Sequence, residues 1–179
     1  MMMLSSDTTQ PAHTTSTPEV PEVEPLPLGP VAQVLHTAGV TSVVALGDDA
    51  KGVEMLQVAS QDALKAAQIL KETCGFDLAL SCTGMDWKTH REAVYHFYSL
   101  QTHGYVVLKL QADEADQVAS LTPVYPALNW HERETYDLLG IHFEGHPDLR
   151  RILMPADWVG YPLRKDYKEN DPRLVWNQR

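Results

Sequence analysis

The chain has 179 residues, a formal net charge of −10, and 44 % hydrophobic residues. That length accommodates one domain with tails, and that apolar share supplies a core. The acidity speaks against nucleic acid as the main partner, because phosphate binding needs clustered Lys and Arg.

The charge is unevenly spread. From His146 onward stand seven basic and five acidic residues, a net +2, which leaves about −12 for the remainder. A basic C-terminal arm facing an acidic or mixed protein surface and an ordinary solvated tail both fit this composition. The two cysteines, Cys74 and Cys82, form no CxxC pair. A four-iron cluster needs four thiolates, so one chain with two cannot hold it alone. Two buried, reduced thiols are expected, without a disulfide framework. No apolar run approaches the roughly 18 residues of a membrane span, and the N-terminus lacks a signal peptide's basic and apolar regions. The expectation is a soluble, cytosolic chain that reaches a membrane only through partners.

Residues 1–28 read as a disordered leader rich in Thr, Ser, Pro and Glu. Six of the twelve prolines fall at or before Pro30, and such a segment buries too little apolar surface to offset its ordering entropy. A proline-rich ligand for a small adaptor domain is the competing reading. Pro30 starts a helix in which Val31, Val34, Leu35 and Ala38 share one face, with a stop at Gly39. Residues 40–47 and 53–59 read as strands joined by a Gly-Asp turn. Ser60 is the expected N-cap of a helix running to Gly75. Three strands follow: one starting LALSC, then residues 91–101 and 105–111 around a His103-Gly104 turn. Residues 113–121 read as a short helix opened by acids and ended ahead of Pro123. Asn129 is expected to cap a helix from Trp130 to Leu139, stopped by Gly140. Beyond Gly140, the prolines 147, 155, 162 and 172 are spaced too closely for long elements. The predicted fold is α+β: a mixed, mostly antiparallel sheet with helices on one face (residues 29–140), then an extended irregular C-terminal arm (residues 141–179).

Motifs for chemistry are sparse. The run from His131 to Thr135 begins like the zinc-protease HExxH but ends in Thr, so the second ligand is missing. His142 and His146 are four apart, yet Gly145 and Pro147 disfavour a helical ligand pair. His90, His96 and His103 fall on strand or turn positions and pack or face solvent. Phosphate-loop, dinucleotide and nucleophile-elbow motifs are absent. Glu132, Glu134 and Asp137 allow an acid–base set, but Arg133 is four residues before Asp137, so a salt bridge is the simpler account. The arm interleaves Trp158, Tyr161, Tyr167 and Trp176 with Arg150, Arg151, Arg164, Lys165 and Lys168. Aromatics with Arg make interface anchors, and prolines limit the entropy lost on docking. Single-stranded nucleic acid suits the same composition, but Asp148, Asp157, Asp166 and Asp171 repel phosphate.

Read in order, Glu132-Arg133-Glu134, Asp137-Leu138-Leu139, His146, Arg150 and Ile152-Leu153, continuing as GHPDLRRILMPADWVGYPLRKDY, resemble the signature of the thirty-kilodalton subunit of respiratory complex I. This is the C subunit of bacterial NADH-quinone oxidoreductase and the J subunit of the cyanobacterial and plastid enzyme. Residues 132–167 carry the resemblance; residues 30–125 match in element order alone. It implies a hydrophilic peripheral-arm subunit with no catalytic, cofactor or metal site of its own. FMN, iron–sulfur clusters and quinone would belong to the holoenzyme. The implied partners are the D subunit (the forty-nine-kilodalton type) and the iron–sulfur B and I subunits, on the cytoplasmic side of the inner membrane. The implied role is to hold the quinone-site subunit in a proton-translocating complex. Glu132, Arg133, Glu134 and Asp137 would orient a docking helix. His146, Pro147, Arg150, Arg151, Asp157, Trp158, Pro162, Leu163, Arg164, Lys165, Asp166 and Tyr167 would anchor the arm. The closing KENDPRLVWNQR differs from the acidic, aromatic tail of plastid-type members, which favours the bacterial respiratory form over the plastoquinone-linked one. The rival from another class is a small metal-dependent hydrolase built on His131, Glu132, His142 and His146.

Overall fold

The computed structural model describes residues 26–168. The expected leader up to residue 25, and Trp176 with the rest of the tail from residue 169, lie outside the described residues. In chain order the elements are α1 (Pro30–Thr37), β1 (Val44–Asp48), β2 (Glu54–Val58), α2 (Ala63–Glu72), β3 (Leu78–Asp86), β4 (Arg91–Tyr98), β5 (Tyr105–Gln111), β6 (Gln117–Ala119), α3 (Asn129–Leu139) and β7 (His142–Glu144). The main sheet runs β1-β2-β5-β4-β3. Only the β2–β5 pair is parallel within it, so the α+β, mostly antiparallel reading holds.

Period-two alternation decides which face is covered. Leu56 and Val58 of β2, Ala93, Tyr95 and Phe97 of β4, and Val106, Leu108 and Leu110 of β5 point to one side and are buried. They join Ala32 and Leu35 of α1, Ala66 and Leu70 of α2, and Leu139 of α3 in a single core. Burying such side chains is worth about 1.5–3 kcal/mol each, the main driving term for the fold.

Pro30 opens α1 as expected, but the helix gains its anion from far away. Glu54 on β2 accepts the Val31 and Ala32 amides at 3.0 and 2.9 Å. A carboxylate at a helix N-terminus satisfies orphan donors and opposes the helix dipole. Ser60 is not the expected N-cap. It sits in a 3-10 turn, Ser60–Asp62, and its hydroxyl accepts the Ala119 amide at 2.7 Å, tying β6 to the start of α2. Asn129 is likewise the first residue of α3 rather than its cap, because a 3-10 turn, Pro126–Leu128, leads directly into the helix.

The helix expected over residues 113–121 is a turn and a strand. Asp113 accepts the Ala115 and Gln117 amides at 2.9 and 2.8 Å, which withdraws them from helical bonding. Asp116 then sits at φ 60°, a left-handed conformation no helix accommodates. Strand β6 follows and pairs in parallel with β7. Regular structure therefore continues past Gly140, where none was expected. Together β6 and β7 return the chain beneath α3 and set the start of the arm.

Candidate functional site

Helix α3 is polar by composition, yet Glu132 and Asp137 on it have no solvent exposure. Each is buried against a different partner. Glu132 faces inward: its carboxylate accepts the Leu121 amide (2.8 Å), the Tyr95 hydroxyl (3.1 Å) and the Ser120 hydroxyl (2.5 Å). Burial, with no cation beside it, raises its pKa to about 7 against the pull of those three bonds. The group locks the segment after β6 to the centre of the sheet. Cys82, on β3 beside it, is a buried thiol whose pKa burial also pushes up; Cys74 is half-buried, and both are free.

Asp137 faces the arm. One carboxylate oxygen accepts three successive amides, Ile152, Leu153 and Met154, at 2.9, 2.7 and 2.9 Å. The other receives Arg151 Nη1 at 2.7 Å. Burial works to raise its pKa, but the amides and the guanidinium outweigh it and hold the carboxyl below its usual value. The salt bridge expected between Arg133 and Asp137 is thus not formed. Arg133 instead stacks over Trp130 (5.0 Å), donates Nε to the Arg150 carbonyl and approaches Asp148 at 3.8 Å. Charges four apart on a helix are neighbours only when neither has a better partner across the fold.

Two further arginines bind the arm to the C-terminal end of α3. Arg151 also donates to the carbonyls of Asp137 and Gly160. Arg164 donates Nε to the Leu139 carbonyl at 2.6 Å and Nη2 to Asp116 at 3.1 Å. A cation on the last helical carbonyls caps the helix and favours its dipole. Both guanidiniums stand over the Tyr161 ring, 5.2 and 4.5 Å from its centre. Gly140 is required twice here: its φ is 74°, and a Cβ would run into Arg164 and Tyr161. Arg91 on β4 takes the rest of Asp116 through two bonds of 2.7 and 2.5 Å. The Leu163 amide donates to the Leu138 carbonyl, and the Lys165 amide to Asp86 at the end of β3, with Lys165 Nζ over Trp87.

The remaining signature residues occupy distinct places. His146 has both ring nitrogens engaged, Nδ1 accepting the Asp148 amide (3.0 Å) and Nε2 facing the Asn129 carbonyl (3.3 Å). Burial depresses its pKa below the ordinary imidazole value. Arg150 is exposed and pairs with Asp148 at 2.9 Å. Glu134, Pro147, Asp157, Lys165 and Asp166 are exposed. Pro162, Trp158 and Tyr167 are partly buried, and Tyr167 packs on Gly160. Trp130, Leu153, Val159 and Leu163 show 65, 57, 87 and 59 % of their surface. Sequence reasoning passes over Asp116, Asp86, Arg91, Tyr95 and Ser120. Nothing in the one-dimensional pattern marks them, because each partner lies on another element.

For metal chemistry the arrangement fits poorly. Glu132 points into the core, His146 is fully bonded, and His142 packs edge-on against Tyr136. Among the described residues no group of three His, Cys, Asp or Glu side chains is placed to hold an ion. No helix among them is long and apolar enough to cross a membrane.

The chain is 46 % identical over 114 residues to the C subunit of NADH-quinone oxidoreductase from a Nocardioides species, covering 60 % of this chain and 46 % of that one. It is 39 % identical over 127 residues to the C subunit of the Geobacter sulfurreducens enzyme, covering 68 and 78 %. It is 35 % identical over 136 residues to the C/D subunit of NADH-quinone oxidoreductase from Bdellovibrio bacteriovorus, covering 74 % of this chain and 23 % of that longer one. The chain spans about half the length of several curated relatives it matches. A chain in the structure of the membrane-bound sulfane sulfur reductase, an archaeal respiratory membrane complex, shares the fold at a TM-score of 0.60. Its identity is 24 %, covering 83 % of this chain and 86 % of that one. Residues 56–173 match the family described as respiratory-chain NADH dehydrogenase, 30 Kd subunit, and the chain belongs to that family.

Proposed function

We propose that this chain is a peripheral-arm subunit of an NADH:quinone oxidoreductase, that it carries no active site, and that it positions the D subunit. The observation that carries the reading is the way buried charge is spent. Asp137, Arg151 and Arg164 use their bonding capacity to hold residues 150–165 in one shape. Catalytic groups need access to a substrate, whereas these are committed inside the chain. What they leave outside is an exposed rim of Trp130, Leu153, Val159 and Leu163 with Arg150 among them. Rigid apolar and aromatic groups with Arg are the usual anchors of a protein interface, and preorganisation lowers the entropy lost on docking. A relative named as a combined C/D subunit supports the choice of partner, since a fused polypeptide keeps its two parts adjacent. Membrane association would come through partners.

The test is genetic and biochemical. Cells lacking the chain should lose NADH-dependent quinone reduction in their membranes and release the D subunit from the complex. The full chain should restore both. Unchanged activity and assembly without the chain would refute the reading.

A further inference from the structure

The two edges of the main sheet differ. Strand β1 has five residues, an irregular register between Ala45 and Asp48, and an acid at its end, which are the usual ways an edge is blunted. Strand β3 has nine residues and no proline, lysine or arginine, and its one irregularity lies near its start, between Ala79 and Ser81. The hydrogen-bond phase of β3 can be read from its far end. The Trp87 amide donates to the His90 carbonyl, and bonded pairs alternate in an antiparallel ladder. Met85–Glu92, Thr83–Val94 and Ser81–His96 are therefore the bonded pairs. The N–H and C=O of Cys82 and Gly84 point away from β4, and no described residue takes them.

Beside this edge runs a groove. Residues 81–84 form one wall; Glu134, Thr135 and Leu138 of α3, with Leu163 of the arm, form the other. Helix α3 comes down closely on β3, since a Cβ on Gly84 would strike Leu139 and Thr135. Glu134 is exposed and makes no ion pair or hydrogen bond among the described residues, although Arg side chains of the arm are spent on other acids.

We propose that the outer edge of β3 is a strand-addition site for an extended segment of the neighbouring subunit. That segment bonds the free backbone groups of Cys82 and Gly84. It sets a Lys or Arg against Glu134 and an apolar residue against Leu138 and Leu163. Main-chain bonds supply affinity in such additions, and alternate side chains supply specificity. The charge of Glu134, exposed beside the edge and without an ion pair among the described residues, favours an occupant that carries a cation there. The inference rests on the docking role proposed above and adds where and how the partner is held.

Hydrogen exchange resolved to single amides tests it, comparing the isolated full chain with the complex purified through a tag on that chain. In the complex the Cys82 and Gly84 amides should slow by about 100-fold or more, as amides in a stable ladder do. Ser81 and Thr83, already bonded to β4, serve as controls. Glu134→Lys, a change at an exposed site, should reduce the chain recovered in the complex at least 10-fold while its thermal midpoint alone stays put. A complex that contains the chain with Cys82 and Gly84 exchanging at the isolated rate overturns the inference and leaves the docking role standing. Protection already present in the isolated chain, or appearing only as its concentration rises, assigns the edge to its own residues 169–179 or to a second copy and overturns it too. Recovery of the chain with no partner overturns both.

Discussion

Replacing Glu132 by Gln separates charge from shape at a fully buried acid of α3. The carboxyl has an ordinary pKa of 4.5 that burial raises to about 7 in the folded chain. An acid with a raised folded pKa costs nothing below 4.5, where both folded and unfolded forms are protonated. Between 4.5 and 7 the unfolded chain ionises while the folded one resists, so stability falls. Above 7 the loss is constant. A rise of that size corresponds to about 3 kcal/mol. Gln keeps an acceptor for the Leu121 amide and the Tyr95 hydroxyl, and its amide donates to Ser120 Oγ. Urea unfolding of the wild-type chain and Glu132→Gln, each from pH 4.5 to 8, gives the difference directly. The two should coincide near pH 4.5 and diverge to about 1–3 kcal/mol in favour of the variant at pH 8. A pH-independent difference, or a variant less stable at pH 8 than at pH 4.5 by as much as wild type, would refute this view of Glu132.

Asp137→Ala should destabilise by about 3–5 kcal/mol, since it takes the buried counter-charge from Arg151 and leaves three amides without their acceptor; urea unfolding measures it, and cleavage by trypsin at Arg150 and Arg151 should quicken. The wild-type Asp137 contribution should hold above pH 4 and fade as the pH drops through the carboxyl's lowered pKa, since that group then takes up a proton in the folded state. Gly140→Ala should cost about 2–4 kcal/mol through left-handed strain and the displaced Arg164 and Tyr161, visible as a lower thermal midpoint. Arg133→Glu should weaken assembly with partners because its stack on Trp130 is lost, and co-purification yield reads that change. A chain without residues 1–28 should assemble normally by the same readout.

Much of the frame was legible. Gly140 marked the end of α3, and the proline spacing foretold an arm without long elements. The misses have physical causes. Asp113 and Glu114 suggested a helix start, but the Asp113 side chain took the amides a helix would need. Strand β7 is three residues long, too short for any period to show. The pairing of Asp137 was misassigned because a sequence displays the charges near one another in the chain. Arg151, fourteen residues on, brings a guanidinium together with a turn of free amides, and that combination outweighs a single neighbour. The role of Arg164 at the helix end was likewise hidden until the arm's return past Gly140 was in view.

The central claim is that the chain acts by docking. The direct measurement is purification of the tagged full chain from membranes in mild detergent, with identification of everything that accompanies it. The account predicts the D subunit and its iron–sulfur neighbours in equal amount, together with NADH-linked quinone reductase activity. A colourless chain recovered alone, from wild-type membranes that keep that activity in another fraction, would contradict it.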